Sequence, residues 1–177
     1  MKKYLLVLLV ITLVVFASGC TSDNNEKNNQ TKTLSQNNIS FTYPATWMIG
    51  ESKANDTIAS VADPKSVNTQ TGFAETVVSI QIKNRTGTFE GMYNDNYESL
   101  FSNSSYQRIS ESNMTLNNNS VFGNVYTVES GGVIKKQRAI WINDNKKVYV
   151  ILCSALSSQF DKEKQNFDMI INSFKIN

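Results

Sequence analysis

Alternating apolar and polar residues dominate the chain after residue 38 and predict a domain built mainly of β-strands. In Val77–Lys83 the large aliphatic residues share one face and mainly polar residues share the other, as expected for a strand buried on one side. Lys147–Leu156 is apolar on both faces, which indicates a central strand covered on each side. The other predicted strands are Ile39–Tyr43, Thr57–Ala62, Gln107–Thr115, Ser120–Glu129 and Val133–Asn143.

Two segments instead show the three- and four-residue apolar spacing of amphipathic helices. The first follows Thr88, whose hydroxyl can cap it, and its apolar residues run from Phe89 to Phe101. The second is predicted to start at Ser158–Asp161, which has the form of a capping box with Asp in place of Glu or Gln, and its apolar stripe reaches Phe174. The order βββαββββα with sequential hairpins predicts a single α+β domain, an antiparallel β-sheet flanked by helices.

The start of the chain has the pattern of an export signal. Two lysines precede the apolar stretch Tyr4–Ala17. Small residues at 17–19 directly precede Cys20, and this sequence resembles the lipobox of prokaryotic lipoproteins. The resemblance implies that residues 1–19 are a lipoprotein signal peptide. It also implies that a lipid on Cys20 holds the protein on the outer face of the cytoplasmic membrane. The uncharged run is also long enough for an uncleaved membrane anchor, so that alternative stays open.

The segment after Cys20 is rich in asparagine. Asp23–Asn38 contains a single large apolar residue, Leu34, and such a sequence buries too little surface to offset the entropy lost on ordering. We therefore predict a lipidated cysteine and disordered tether over residues 20–38 and a folded domain over residues 39–177.

Composition excludes several classes of function. The 177-residue chain has no histidine, which removes imidazole as a general base and as a metal ligand. It has 17 Lys+Arg and 15 Asp+Glu, and without Lys2 and Lys3 of the leader the two signs balance at 15 each. A neutral mature protein has no basic stripe for phosphates, so a nucleic-acid partner is not expected. With Cys20 lipidated, the second cysteine, Cys153, has no intrachain partner, and its apolar surroundings predict a buried thiol.

No motif for catalysis, phosphate binding or metal binding stands out. The acidic residues Asp161, Glu163 and Asp168 interleave with lysines, which is typical of a solvated helix face. Asn94–Asn96 and Asn143–Asn145 offer oxygen ligands but lack the alternate spacing of a calcium loop. No residue is assigned a catalytic, cofactor-binding or metal-binding role.

Asparagine supplies the remaining candidate sites. Seven Asn-x-Ser/Thr sequons are possible acceptors of N-linked glycans in an exported chain, if the host has the transferase. Chance sequons are also expected, because the chain is rich in Asn, Ser and Thr. The seven are at Asn29, Asn38, Asn55, Asn84, Asn103, Asn113 and Asn118.

Three groups of residues carry a family resemblance. Ile39–Pro44 with Trp47, the triplet Val121–Gly123, and the apolar positions of Phe160–Phe174 together resemble PsbP-related proteins. In layout the chain is similar to archaeal surface lipoproteins of this superfamily. The resemblance implies the α+β fold far more than a function, since the matching residues are mostly apolar. Trp47 itself is expected to fold over one end of the core.

These observations predict a lipid-anchored, extracytoplasmic, non-catalytic binding or accessory module with a protein or small-ligand partner of unknown identity. Two alternatives stay open. A solute- or metal-capturing lipoprotein needs a concave site with converging polar groups. A carboxylate-dependent enzyme needs two acidic residues converging in a pocket.

Overall fold

The computed structural model describes residues 12–13, 30–52, 54–116, 119–145 and 147–177. The strands are β1 (Thr12–Leu13), β2 (Thr31–Gln36), β3 (Ile39–Pro44), β4 (Met48–Ile49), β5 (Glu51–Ser52), β6 (Thr57–Ala62), β7 (Val77–Asn84), β8 (Tyr106–Leu116), β9 (Asn119–Ser130), β10 (Val133–Asp144), β11 (Lys147–Leu156) and β12 (Lys175–Ile176). The helices are α1 (Phe89–Phe101) and α2 (Lys164–Ser173), with a short 3₁₀ turn at Pro64–Ser66.

A seven-stranded antiparallel sheet organises the domain, in the order β4-β6-β7-β11-β10-β9-β8. β11 lies at its centre and is buried on both faces, as the sequence predicts. β8 forms one edge and is mostly exposed, also as predicted. A second sheet has the order β12-β3-β2, and β1 pairs with β5. The α+β prediction is confirmed.

One face of the large sheet, the α2 face, carries the larger core. Phe167 and Ile171 of α2 are buried in the same cluster as Ile151 of β11 and Phe41 of β3. Trp47 belongs to this cluster and meets the Phe167 ring edge-on, with centroids 6.3 Å apart. Its predicted place over the core is confirmed.

Cys153 is buried in the α2-face core, as expected. Burial raises the pKa of its thiol to about 12, because the thiolate would have no water around it. The thiol therefore stays protonated and behaves as a small apolar side chain.

The opposite face, the α1 face, is covered by α1. The amide of Gly91 donates to Thr88 Oγ1 at 3.0 Å, so the predicted cap is present. Tyr93 and Tyr97 of α1 are buried in a cluster with Trp141 of β10 and Val150 of β11.

The prediction of a disordered tether is wrong for residues 31–38, because Thr31–Gln36 forms strand β2 and the next two residues form a turn. β2 pairs with β3 along its whole length, and Asn37 and Asn38 make the turn with φ of 51° and 62°. Asparagine tolerates this left-handed conformation better than most residues. Leu34 is buried, and backbone pairing holds the polar remainder of β2. Residues 23–29 lie outside the described ranges.

Two further expectations need correction. α2 begins at Lys164 rather than at Ser158, because residues 158–163 form successive turns, and Glu163 at its start makes no side-chain cap. β7 is buried on both faces rather than one: Ser79 and Gln81, on the face predicted to be solvated, are each 1% exposed. The second face of the sheet is therefore covered from β11 as far as β7. The site described next lies between this part of the sheet and α1.

Candidate functional site: a cavity between α1 and the sheet

A cavity of about 310 Å³ lies between α1 and the central strands. We call it the α1 cavity. β7, β10 and β11 supply its floor, α1 supplies one wall, and Tyr106 and Tyr126 close one side. Most of its inner surface is aromatic or aliphatic. The principal apolar lining residues are Met92, Tyr97, Leu100, Tyr106, Tyr126, Ala139, Trp141, Val150 and Leu152.

The aromatic wall is fixed by hydrogen bonds as well as by packing. Trp141 Nε1 donates to Tyr97 Oη at 3.1 Å, and the ring centroids of these residues are 5.9 Å apart. Tyr93 Oη donates to the carbonyl of Gly123 at 3.2 Å. Gly123 lies close to the neighbouring strand, since a Cβ there would be 2.5 Å from Ser112 Oγ. The rings are thus held by both layers of the domain.

The hydroxyls of this wall stay neutral. Burial raises the pKa of Tyr97 well above its ordinary value and also raises the pKa of Tyr126. Neither phenol ionises at physiological pH, so the wall presents no negative charge to a ligand.

Gln81 is the unusual residue of the floor. In the sheet it is paired with Val150 of β11 and Thr57 of β6. Its side chain is buried, yet neither Nε2 nor Oε1 has a hydrogen-bond partner among the residues that the structure describes. A buried amide without partners is costly, typically about 1–3 kcal/mol per group.

A second buried glutamine on the same face shows the ordinary arrangement. Gln137 lies on β10, and its Nε2 donates to Ser154 Oγ of β11 at 3.3 Å. The two glutamines therefore share residue type and burial but differ in pairing. Only Gln81 of the pair lines the α1 cavity.

Polar and charged side chains lie among the other lining residues. Asp95, Asn96 and Ser99 come from α1. Lys83 also lines the cavity, but its Nζ lies 2.6 Å from Asp56 Oδ2. The charge of Lys83 is therefore already compensated.

The arrangement suits binding better than catalysis. Among the described residues that line the cavity, Asp95 is the one carboxylate, whereas an acid pair needs two. The acidic residues of the C-terminal region are engaged elsewhere: Asp168 pairs with Arg138 and Lys164 at 2.6 and 2.8 Å, and Asp161 pairs with Lys136. The prediction of one solvated helix face needs correction: Asp161 and Glu163 precede α2, and the carboxylate of Asp168 is partly buried in its ion pairs.

The two candidate calcium segments lie in a helix and at a hairpin turn. Asn94–Asn96 lies within α1, and Asn143–Asn145 is at the turn from β10 to β11. Asn143 Oδ1 accepts a hydrogen bond from Arg85 at 3.0 Å. Within the described ranges no three His, Cys, Asp or Glu side chains are placed to hold a metal ion.

The predicted modification sites divide into two groups. Five sequon asparagines are described, and all five are exposed: Asn38, Asn55, Asn84, Asn103 and Asn113. Cys20, Asn29 and Asn118 lie outside the described residues, so their roles stay predictions. In the part of the chain that is described, no helix has the length and apolar character to cross a membrane.

Sequence reasoning missed the α1 cavity and Gln81. Strict alternation assigned Gln81 to a solvated face, which is the usual location of a strand glutamine. One signal could have corrected this: β11 is apolar on both faces, so a layer must cover its second face and extend over its neighbours. α1 is that layer.

The fold defines a class: an α+β domain with an antiparallel sheet flanked by helices. The chain belongs to the PsbP-like protein family, whose model matches residues 11–176. The solution structure of cyanobacterial PsbP (CyanoP) from Synechocystis has a TM-score of 0.63 at 15% identity, covering 89% of this chain and 98% of that one. LpqN, described as involved in cell envelope biogenesis of Mycobacterium tuberculosis, has a TM-score of 0.61 at 13% identity, covering 84% and 91%. These similarities show a shared fold. No curated protein matches the sequence.

Proposed function

We propose that this protein is a lipid-anchored, extracytoplasmic, non-catalytic module that binds a small organic ligand in the α1 cavity. The observation that carries the proposal is the α1 cavity itself, a space of about 310 Å³ that is lined mainly by apolar and aromatic side chains with a few polar ones among them.

The cavity favours solute capture among the alternatives for this family member. It is concave, mostly apolar and carries a few converging polar groups, and its volume lies at the small end of the range typical for small-molecule sites. An organic ligand suits this lining better than a metal ion, which would need several charged or strongly polar donors.

The anchoring part of the proposal rests on the leader. The small residues before Cys20 support lipidation, and the strand that follows Cys20 in the described residues begins at Thr31. The connecting residues would then hold the domain within a short distance of the bilayer. LpqN, which shares the fold, is described as involved in cell envelope biogenesis, and this agrees with an extracytoplasmic location.

Anchoring is tested by a single substitution in the full chain. Cys20→Ser should abolish incorporation of a radiolabelled lipid precursor and release the protein from the membrane fraction or leave the leader uncut. Membrane retention with normal processing in this variant would contradict the lipoprotein proposal and favour an uncleaved anchor.

Binding is tested with 2-acetonaphthone, an uncharged aromatic ketone, and the full chain held in amphipol. The chain has two tryptophans, Trp141 in the cavity and Trp47 in the opposite core. With both replaced by 5-fluorotryptophan, the fluorine signal of Trp141 should shift saturably while that of Trp47 stays in place. Ala139→Leu, which fills the cavity, should remove the response. A response confined to Trp47, or none at all, would refute binding in the α1 cavity.

Exposed asparagines support a further modification. The five described sequons are accessible to a glycosyltransferase, and we propose that the exported chain carries N-linked glycans on some of them. Intact mass measurement of the protein from its native membrane, before and after Asn→Gln changes, tests this.

A further inference from the structure

We infer that the turn between β9 and β10 contacts the bilayer to which the chain is anchored, with Val133 and Ile134 inserted at the level of the lipid headgroups. Residues 129–134 are called the β9–β10 tip. The inference rests on the proposed anchoring at Cys20 and adds a second, weaker contact between the protein and the same membrane.

The β9–β10 tip exposes two adjacent apolar side chains to water. Val133 is 44% exposed and Ile134 is 48% exposed. The described part of the chain has two other exposed large apolar side chains, Ile49 and Ile109, and each lies alone on an edge strand. The tip thus combines consecutive exposed aliphatic residues with a glycine turn, so that no other large side chain lies between them and the solvent.

The shape of the tip favours a bilayer over a protein partner. Val133 is paired with Ser130 and Ile134 with Glu129, so strand geometry continues up to the turn. Consecutive strand residues point to opposite faces, and the two apolar side chains therefore lie on the two faces of the hairpin. A protein that docks on one face covers one of them, whereas a bilayer that the tip enters end-on surrounds both.

The anchored segment joins the domain at the same end of the large sheet as the tip. The amide of Ala45 donates to the carbonyl of Gln30 at 2.9 Å, so the chain coming from Cys20 arrives beside the end of β3. Met48 begins the edge strand β4 shortly afterwards, and its row in the sheet runs across β6, β7 and β11 to Gln137 of β10. Gln137 is four residues from Val133, at the tip end of β10.

The anchored segment is short enough to keep the tip near the bilayer. Ten residue steps separate Cys20 from Gln30, and they span at most about 36 Å when fully extended. The four strand spacings between β4 and β10 amount to about 19 Å. The tip therefore stays within reach of the lipid surface. Even a weak contact is then populated, because the anchor keeps the local concentration of lipid high.

The charges beside the tip define the lipid chemistry. Lys135 Nζ lies 2.6 Å from Glu75 Oε2, and Lys136 Nζ lies 3.0 Å from Asp161 Oδ1. These lysines are therefore already paired, and the tip itself carries an exposed carboxylate, Glu129. Anionic lipids gain nothing from such a surface. The tip is thus suited to a zwitterionic headgroup and to shallow apolar insertion.

Two cysteine variants at the ends of β9 test the contact. Ser130→Cys lies in the tip, and Ser120→Cys lies at the other end of the same strand, about 34 Å away. Cys153 is buried with a pKa of about 12, so a nitrobenzoxadiazole thiol reagent should label only the introduced cysteine of the lipidated chain. The full chain is reconstituted in phosphatidylcholine vesicles that contain a nitroxide-labelled lipid. Quenching should be at least about threefold stronger at position 130 than at position 120.

A double variant tests whether the two apolar side chains make the contact. Val133→Ser combined with Ile134→Ser should lower the quenching at position 130 to the level at position 120. The matched control is Ile109→Ser, which removes an isoleucine of similar exposure, 53%, from outside the tip and should leave the quenching unchanged. Adding phosphatidylglycerol to the vesicles should also leave it unchanged.

Vesicle flotation separates the inference from the anchoring on which it rests. If the labelled chain floats with the vesicles but the two positions are quenched equally, docking of the tip is refuted while anchoring stands. Docking through the apolar residues is also refuted if the double variant keeps its quenching. If iodide cannot reach the label at position 130 and the nitroxide lipid does not quench it, another protein copy covers the tip and the inference is wrong. If the chain does not float, both proposals fail.

Discussion

Replacing either of the two buried glutamines of the α1 face by methionine should change the free energy of unfolding, in opposite directions at the two positions. Gln81 has no partner for its amide among the described residues, whereas Gln137 donates to Ser154 at 3.3 Å. Methionine has a side chain of the same length and similar volume, but it lacks the amide nitrogen and oxygen. The same substitution on the same face therefore removes a penalty at one position and an interaction at the other.

The magnitudes follow from the free energy of unpaired polar groups. Gln81→Met removes a buried unsatisfied amide, so the free energy of unfolding should rise by about 1–3 kcal/mol. Gln137→Met removes a hydrogen bond and leaves the buried hydroxyl of Ser154 without its partner, so that free energy should fall by about 1–3 kcal/mol. The free energies of unfolding of the two variants should therefore differ from each other by at least about 2 kcal/mol.

Equilibrium unfolding in urea measures this difference on the full chain without ligand. The midpoint should move up for Gln81→Met and down for Gln137→Met, with the slope unchanged in both. Equal destabilisation of the two variants would refute the reasoning, because it would mean that the Gln81 amide already makes hydrogen bonds of ordinary strength in the free protein.

Three further predictions concern the other face. Phe174→Ala should cost about 3–5 kcal/mol because the buried ring leaves a cavity, whereas Lys164→Ala, on an exposed side chain, should cost no more than about 0.5 kcal/mol; equal urea midpoints would show that the C-terminal segment does not pack on the core. Cys153, with a pKa near 12, should not react with a thiol reagent at pH 8 until urea unfolds the chain, and prompt reaction in the native state would contradict its burial. Burial alone would raise the pKa of Asp168, but hydrogen bonds and charges from Lys164 and Arg138 outweigh it and lower that pKa. The carboxylate therefore stabilises the fold above its unfolded pKa, roughly 3.9, and this contribution is lost as the pH falls through the lower folded pKa. Asp168→Asn should show a smaller loss of stability between pH 7 and pH 3 than the wild type, and an identical loss would contradict the pairing.

The sequence predicts a strand best where the pattern of apolar and polar side chains shows which of its faces are buried. β11 and β6 have the predicted bounds Lys147–Leu156 and Thr57–Ala62. β11 was recognisable because apolar residues occupy both of its faces. The hairpin between β9 and β10 was recognisable because Gly131 and Gly132 adopt φ of 59° and 78°, which glycine tolerates without strain.

β2 could not be recognised in this way, because its stability comes from its partner. Apart from Leu34, its side chains are exposed and carry little apolar signal. Its order comes from backbone hydrogen bonds to β3 and from a turn at two asparagines. Composition indicates only how much surface the side chains can bury. It gives no signal for a polar strand that is held by backbone hydrogen bonds to a neighbouring strand.

The α1 cavity was beyond sequence reasoning for a different reason: a pattern shows which side chains face a layer but not how far the layers stand apart. At one end, Tyr93 of α1 packs on Phe122 of β9 with ring centroids 4.9 Å apart, so two bulky rings set the separation between helix and sheet. Towards β7 the floor carries Gln81 and Val150, which are smaller than the paired rings and line the cavity. The cavity is thus a consequence of large residues placed on one side of a helix and smaller ones on the other.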